Sequence, residues 1–167
     1  MRVDLERALL DKICDLPTLK SKVAYWQSEG DKVVFTNGVF DLLHIGHITY
    51  MSKAANLGDR LIVGLNADSS VKRLKGPNRP VNDQINRAAL LAALFFIDGI
   101  VVFEEDTPLT LISTLLPDIL VKGADYSIDN IVGAKEVLAN GGEVLTIDLV
   151  EGYSSTSIIQ RIKNQGV

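Results

Sequence analysis

The sequence predicts an α/β protein with a doubly wound sheet of five parallel strands. Five short apolar runs alternate with segments of helical periodicity, the pattern of strand–helix–strand units joined by right-handed crossovers. The runs are mostly apolar instead of strictly alternating with polar residues, as expected for strands that are buried on both faces. They occupy residues 33–35, 60–66, 100–103, 119–121 and 143–147.

The chain begins with two short amphipathic segments. Apolar residues recur at helical spacing between residues 5 and 13 and again between residues 19 and 26. We therefore predict a helical extension, residues 1–30, ahead of the main domain, residues 31–167. We favour the interpretation that the extension braces the sheet; a lid over a site or a dimer element is the alternative.

The helices of the main domain are predicted between the strands, at residues 47–57, 84–96, 109–116, 133–140 and 158–163. Thr107 is predicted to cap the third of them, with Pro108 in its first turn. Residues 71–80 hold four basic residues, two prolines and a glycine without an apolar period, which predicts a surface loop. Asn82 or Asp83 is expected to cap the second helix, whose predicted buried side consists of Ile85, Ala88, Ala89, Ala92, Ala93 and Phe96.

Composition and charge exclude several classes of protein. The net charge of −4 over 167 residues implies no broad basic surface, so no nucleic-acid partner is predicted. Cys14 is the single cysteine, which excludes an internal disulfide bond and fits a reducing cytoplasm. No apolar run approaches the roughly 20 residues of a membrane span, so no membrane association is predicted.

Polar turns, most of which contain glycine, follow the predicted strands. In a doubly wound sheet, ligands bind beyond the carboxyl ends of the strands, at the point where the strand order reverses. We therefore expect one site at this edge, built from residues 36–47, 66–80, 104–107, 122–126 and 152–157.

His44 and His47 are the most informative residues of the first turn. They lie three positions apart at a helix start, so they can face the same way. Gly46 permits a close approach to the backbone N–H groups there, and such histidines can donate to phosphate and stabilise transition-state charge. A metal pair is the rival role, but the chain has no other histidine, and zinc usually needs more ligands.

The string from Gly38 to Asp41, followed by His44-Ile45-Gly46-His47, resembles the signature of the cytidylyltransferase-like nucleotidyltransferases. The resemblance implies a Rossmann-like fold of the HIGH type, so called after this four-residue string. Class I aminoacyl-tRNA synthetases share the string, but this chain is too short for one of them.

Within that family, the chain resembles the adenylyltransferases of ADP-heptose synthesis over roughly residues 30–163. The resemblance implies that ATP and D-glycero-β-D-manno-heptose 1-phosphate give ADP-heptose and pyrophosphate, for lipopolysaccharide or another surface glycan. The sugar phosphate would attack the α-phosphorus directly, so catalysis would consist of alignment and charge stabilisation. In many bacteria this unit follows a sugar kinase domain; here we expect the stand-alone form. The segments that carry the resemblance are residues 66–81, 103–108, 121–126 and 133–137.

The resemblance and the chemistry of phosphate binding together predict the site residues. His44, His47 and Lys75 are the predicted catalytic residues, with residues 72–75 as a moving lid. Arg87 could contact phosphate or lie on the surface. The predicted nucleotide-binding residues are Thr36, Asn37, Gly38, Val39, Phe40, Asp41, Gly46, Lys72, Arg87, Lys122, Gly123, Asp125, Tyr126, Ser154, Ser155 and Thr156.

Magnesium is expected to arrive with ATP, held by phosphate oxygens and few protein ligands. Asp41 would either hold the Gly38 turn or position a magnesium-bound water. The other expected partners are a sugar 1-phosphate and a second copy of the chain, since members of the family are often dimers.

Two alternatives to this function stay open. One is a cytidylyltransferase for glycerol 3-phosphate or another polyol phosphate. Relatives that use CTP carry arginines where this chain has Phe95 and Leu149, which favours ATP. The other is a non-catalytic nucleotide sensor, against which the intact pair of His44 and His47 speaks.

Overall fold

The computed structural model describes residues 4–165. It confirms the predicted architecture: the five strands form one parallel sheet in the order β3-β2-β1-β4-β5. Because the order reverses at β1, a crevice opens beyond the carboxyl ends of β1 and β4. The strands are β1 Val33–Gly38, β2 Arg60–Asn66, β3 Gly99–Phe103, β4 Ile119–Gly123 and β5 Glu143–Ile147.

Helices cover both faces of the sheet, each face with its own apolar core. On one face α3 and α5 contribute Met51 and Leu91, and on the other α2, α6 and α7 contribute Leu19, Ile112 and Val137. No helix within residues 4–165 is long and apolar enough to cross a bilayer. The helices are α1 Leu5–Leu10, α2 Leu16–Ser28, α3 Ile45–Ala55, α4 Asp68–Lys75, α5 Gln84–Ala92, α6 Leu109–Leu115, α7 Ala134–Ala139 and α8 Ser155–Asn164.

The N-terminal helices pack directly on the sheet. Leu19 of α2 is fully buried and Val23 nearly so. The chain between α1 and α2 also pairs with β3: the Cys14 N–H donates to the Ile100 carbonyl at 2.9 Å, and the Ile100 N–H donates to the Lys12 carbonyl at 2.8 Å. The segment therefore braces the sheet, while the proposed domain boundary at residue 30 stays a prediction.

The prediction of a surface loop over residues 71–80 was wrong in its first half. Helix α4 continues through Lys75, and only Ser70 and Val71 of its residues are buried. Because Val71 is the one apolar residue of α4 that is buried, the sequence shows no helical periodicity over this segment. The basic residues of α4 lie in its last turn, where they complement the negative end of the helix dipole.

The helix between β2 and β3 was predicted too long, and its buried side was predicted correctly only in part, at Ala88 and Ala92. Helix α5 begins after Asp83, whose side chain caps it, and ends at Ala92. Ile85 is 77% exposed, and Ala89 and Ala93 are exposed too. Small alanines on several faces blur the helical pattern, and the buried stripe includes a charged residue that no apolar pattern contains. The buried residues are Arg87, Ala88, Leu91 and Ala92.

Helix α8 begins at Ser155, three residues earlier than predicted, and α3 and α6 depart from the predictions in their start and in their cap, respectively. Helix α3 begins at Ile45, two residues early, because His44 itself is the cap residue. Helix α6 has Pro108 as its cap position and no side-chain cap, so Thr107 does not cap it.

Candidate active site

A cavity of about 720 Å³ lies beyond the carboxyl ends of the strands. All five predicted turns contribute to its wall. Thr36, Lys72 and Arg87 are the predicted site residues that do not line it. The predicted residues that do are Asn37, Gly38, Val39, Phe40, Asp41, His44, Gly46, His47, Lys75, Lys122, Gly123, Asp125, Tyr126, Ser154, Ser155 and Thr156.

The two histidines form a stacked pair on the cavity wall. Their ring centroids are 3.8 Å apart. His44 Nδ1 accepts a hydrogen bond from the Gly46 N–H at 3.1 Å. That bond needs an unprotonated Nδ1, so neutral His44 carries its proton on Nε2. On the other side of the stack, the edge of Phe40 meets His47 at a centroid distance of 5.3 Å.

Both histidines are neutral near pH 7. Burial, reinforced by the neighbouring His44, lowers the pKa of His47 to about 4, and burial also lowers the pKa of His44. His47 Nδ1 is buried and has no hydrogen-bond partner among residues 4–165. The pair thus offers N–H donors rather than fixed charges, in a site where an arriving anion would favour protonation.

The low pKa of His47 predicts a loss of stability in acid. An unfolded chain protonates histidine near pH 6.5, whereas folded His47 takes up its proton only at about pH 4. The free energy of unfolding should therefore decrease as the pH falls from 6.5 to 4, since the unfolded state then binds more protons. Urea unfolding across this range should show a smaller decrease for His47→Gln. An equal decrease in both proteins would contradict the assignment.

The turn between β1 and α3 is held in a strained shape. Phe40 has a φ of 46°, in the left-handed region that a bulky residue seldom adopts. Its ring lies so close to Gly38 that an added Cβ there would approach it to 2.9 Å. Arg87 supports the turn from below by donating to the Val39 carbonyl at 2.7 Å. Arg87 is only 1% exposed, so it holds the site from beneath instead of contacting phosphate.

Thr36 also lies beneath the cavity. Its hydroxyl and the Tyr50 hydroxyl are 2.8 Å apart, and Tyr50 donates to the Val121 carbonyl at 3.3 Å. Burial raises the pKa of Tyr50 to about 12. This buried link joins α3 to the ends of β1 and β4.

Asp41 holds a neighbouring connection instead of the Gly38 turn. Its carboxylate accepts from the Val81 and Asn82 N–H groups at 2.8 and 2.9 Å and from Arg79 Nε at 2.7 Å. Burial would raise the pKa of Asp41, but these donors outweigh it and the pKa lies below its usual value. The carboxylate thus ties residues 79–82 to the turn after β1.

The start of α8 lies beside the start of α3. Ser154 caps α8 in a reciprocal pair with Ser157. Ser155 Oγ donates to the Leu42 carbonyl at 3.1 Å, and an added Cβ on Gly46 would be 3.4 Å from Tyr153 Cβ. Two helix N-termini, with their positive dipole ends, therefore adjoin the histidine pair, an arrangement suited to binding an anion.

Lys122 is a largely buried cation at the end of β4. Burial lowers its pKa to about 8, although Asp125 acts in the opposite direction. Its Nζ also lies 5.5 Å from the centroid of the Tyr126 ring. An anion that enters the cavity would raise this pKa and stabilise the charged form of the lysine.

The pKa of Lys122 predicts that Lys122→Met stabilises the empty protein. At pH 7 the folded state carries the Lys122 charge largely buried, which lowers the free energy of unfolding. This loss of stability disappears only as the pH rises from 8 to 10.5, because the folded lysine is then neutral while the unfolded one is still charged. We expect the free energy of unfolding to increase by about 1–3 kcal/mol at pH 7, with a smaller gain near pH 10. ATP binding should weaken. Lys53→Met, at an exposed position, is the control; destabilisation by Lys122→Met at pH 7 would refute the prediction.

The cations of the β2–α5 connection differ in their placement. Lys75 is exposed and lines the cavity, whereas Lys72 is exposed outside it. Arg73 also lies outside the cavity, and it pairs at 2.8 Å with Asp106, which lines the cavity. Arg79 lines the cavity, and sequence reasoning did not single it out; its place beside a proline in a turn after a strand was the only signal.

Other wall residues were missed because they are ordinary in the sequence. Tyr50 comes from α3, Leu74 from α4 and Asn66 from the end of β2, and the others follow β3 and β5 or lie between the start of the 3₁₀ turn Ile128–Asn130 and α7. The predicted turns contain Asn66, Leu74, Asp106, Thr107 and Tyr153, although these residues were not predicted individually. The wall residues of this kind are Tyr50, Asn66, Leu74, Asp106, Thr107, Pro108, Asn130, Ile131, Val132, Leu149, Val150 and Tyr153.

The described residues offer little to a metal ion directly. Within residues 4–165, no three His, Cys, Asp or Glu side chains cluster as a metal site. Both Asp41 oxygens accept from protein donors, which leaves Asp106 and Asp125 as carboxylates on the cavity wall. This donor set fits magnesium that is held by phosphate oxygens and keeps several waters.

The cytidylyltransferase-like family model matches residues 35–161, which include the histidine pair and both adjoining helix starts. The chain belongs to the cytidylyltransferase-like family. It is therefore a nucleotidyltransferase, as the four-residue histidine string predicted.

The relatives are long proteins of which this chain matches one part. The bifunctional protein HldE of Mesorhizobium japonicum is 56% identical over 153 residues, which make up 92% of this chain and 31% of that protein. HldE of Yersinia enterocolitica is 50% identical over 168 residues, or 97% of this chain and 35% of that protein. The chain thus spans about a third of the length of these curated relatives.

Solved structures share the fold. A lipopolysaccharide core biosynthesis protein from Thermoplasma volcanium is 30% identical, with a TM-score of 0.58 over 75% of this chain and 100% of that one. Pantoate-beta-alanine ligase from Francisella tularensis is 15% identical, with a TM-score of 0.52 over 93% of this chain and 78% of that one. The second likeness concerns the fold alone.

Proposed function

We propose that this protein transfers AMP from ATP to a sugar 1-phosphate, releasing pyrophosphate. The observation that carries the proposal is the anion site made by the starts of α3 and α8 around His44 and His47. Identity above 50% to bifunctional HldE proteins supports D-glycero-β-D-manno-heptose 1-phosphate as the acceptor and ADP-heptose as the product, for lipopolysaccharide or another surface glycan. ATP and sugar phosphates are cytoplasmic metabolites, so the reaction is proposed for the cytoplasm.

The chemistry is one in-line displacement at the α-phosphorus of ATP. An oxygen of the sugar phosphate forms a bond to that phosphorus while the bond to the bridging oxygen of the β-phosphate breaks. Pyrophosphate leaves with the electron pair. No protein group needs to become covalently attached, so the residues act by alignment and by stabilising charge.

The residues of the cavity divide this work. His44 donates from Nε2, and His47 binds beside it, where negative charge grows on the α-phosphate and the leaving oxygen. The backbone N–H groups of Ser155 and Thr156, at the start of α8, would bind the outer phosphates, since the Ser157 N–H already donates to Ser154 Oγ. Lys75 would approach from the end of α4 and neutralise charge. Magnesium bound to the phosphate oxygens would neutralise further charge, and the wall carboxylates Asp106 and Asp125 are the residues that would hold its waters.

One apolar residue of the wall, Leu149, supports ATP over CTP as the donor. Leu149 lines the cavity at a place where CTP-using relatives carry an arginine. Phe95, at the other such place, is 91% exposed and lies outside the cavity lining. A cytidylyltransferase for a polyol phosphate remains the second candidate function, and a non-catalytic sensor the third. A homodimer is proposed from the family resemblance.

A substrate screen tests the proposal. The purified protein is incubated with magnesium, one of the four nucleoside triphosphates and either heptose 1-phosphate or glycerol 3-phosphate, and pyrophosphate release is measured. We expect release with ATP and heptose 1-phosphate. Release only with CTP and glycerol 3-phosphate would favour the second candidate. ATP binding without release from any pair would favour the sensor.

A further inference from the structure

Arg79 is held in the cavity wall by an unusual support. Its Nε donates to Asp41 at 2.7 Å, and the side chains are 15% and 1% exposed, respectively. The same carboxylate accepts from the Val81 and Asn82 N–H groups. Asp41 therefore fixes both the guanidinium and the backbone that carries it.

The outer end of this guanidinium is unoccupied by the protein. Within residues 4–165, Arg79 Nη1 and Nη2 make no hydrogen bond, and neither is among the buried polar atoms without a partner. Since Arg79 lines the cavity, these donors are open to it. The guanidinium is planar and held in one orientation, so its two Nη donors are suited to binding two oxygens of one phosphate.

The position of Arg79 indicates which phosphate it meets. Residues 76–82 follow β2, whereas α8 follows β5, and these two strands lie on opposite sides of β1. In an in-line displacement, the attacking and leaving oxygens lie on opposite sides of the phosphorus. If pyrophosphate leaves toward the start of α8, the attacking phosphate lies on the side of Arg79.

We propose that Arg79 binds the phosphate group of the acceptor substrate through Nη1 and Nη2, with Asp41 as the residue that positions it. The proposal rests on the proposed function, because it needs an acceptor substrate that carries a phosphate group. It does not require that the acceptor be a heptose. Arg79 would thus position the attacking oxygen next to the α-phosphate that is bound at the histidine pair.

Steady-state kinetics of Arg79→Gln and Arg79→Lys test this assignment. We expect Arg79→Gln to raise the KM for the acceptor phosphate about 10- to 100-fold, while the KM for ATP changes less than about twofold. Arg79→Lys keeps the charge but not the fork, so it should recover part of the loss. Arg60→Gln is the matched control, because Arg60 Nε also donates to a carboxylate, that of Asp31 at 2.8 Å, and neither residue lines the cavity.

The outcomes separate this proposal from the proposed function. An unchanged acceptor KM in Arg79→Gln, or an equal rise in the KM for ATP, would overturn the role of Arg79 alone. Turnover with glycerol 3-phosphate instead of heptose 1-phosphate would overturn the heptose proposal, and the same comparison of KM values would then be made with glycerol 3-phosphate. Failure of the wild type to turn over any phosphate acceptor would overturn both. Thermal melting of each variant shows whether a loss reflects unfolding.

Discussion

Replacing His47 with alanine is expected to lower turnover by two to three orders of magnitude, about the cost of removing one preorganised donor from a site where charge develops. The His47 ring is stacked on His44 at a centroid distance of 3.8 Å and shielded by Phe40, so no other group can take its place. ATP binding should survive in part, because the starts of α3 and α8 still bind phosphate. Pyrophosphate release and ATP binding are the two measurements.

His47→Gln is the matched variant for this experiment. Glutamine restores an N–H donor on a flexible chain without the stacked ring, so it should recover part of the turnover that alanine loses. The free energy of unfolding at pH 7 distinguishes a catalytic loss from a structural one. Turnover of His47→Ala within about threefold of the wild type would refute the catalytic role.

Arg87→Met is expected to have the largest effect on stability, a loss of about 3–5 kcal/mol, which is typical of a buried ion pair that loses one partner. Arg87 donates to Asp68 Oδ1 at 2.7 Å and to the carbonyls of Val39, Asn66 and Asn82 at 2.7, 2.8 and 2.9 Å. Methionine keeps much of the volume but satisfies none of these acceptors. Urea unfolding measures the loss.

Arg60→Met provides the comparison for that experiment. Arg60 has two carboxylate partners, Asp31 and Asp98, where Arg87 has one, but the Arg60 side chain is 39% exposed. Solvent screens such pairs, so its loss should cost about 1 kcal/mol or less. Equal losses for the two variants would contradict the view that Arg87 is the buried clamp beneath the site.

Arg87→Met should also lower turnover in whatever fraction stays folded. Arg87 ties the end of β1 to the end of β2 through the carbonyls of Val39 and Asn66. The next residue, Phe40, has its strained φ of 46° and packs against His47. Release of the Val39 carbonyl should let this turn relax and shift the histidine ring.

The fold and the centre of the site could be predicted because both depend on local patterns. The five strands are short apolar runs buried on both faces, and each appears where the sequence indicated it. His44 and His47 could be predicted to act together because they lie three residues apart at one helix start, a spacing that is visible in the sequence. Strand ends that carry polar turns then lie at one edge of the sheet whatever the details of packing.

The supports of the site could not be predicted, because their partners are distant in the chain. Arg87 and the Val39 carbonyl are separated by 48 positions, and Arg79 and Asp41 by 38. Nothing in the sequence near Asp41 indicates that it accepts from residues 79–82 rather than holding its own turn or positioning a magnesium-bound water.

The amino-acid sequence by itself thus determined the class of fold, the edge that binds ligand and the histidines that face it. Only the tertiary structure decided which charged residues line the cavity and which are buried beneath it. Arg79 and Arg87 have the same side chain and lie eight positions apart. One has donors open to the cavity, and the other has its donors bonded beneath it. The physical reason is that burial and hydrogen-bond partners, which set the role of a charged side chain, come from elements that meet only in the folded protein.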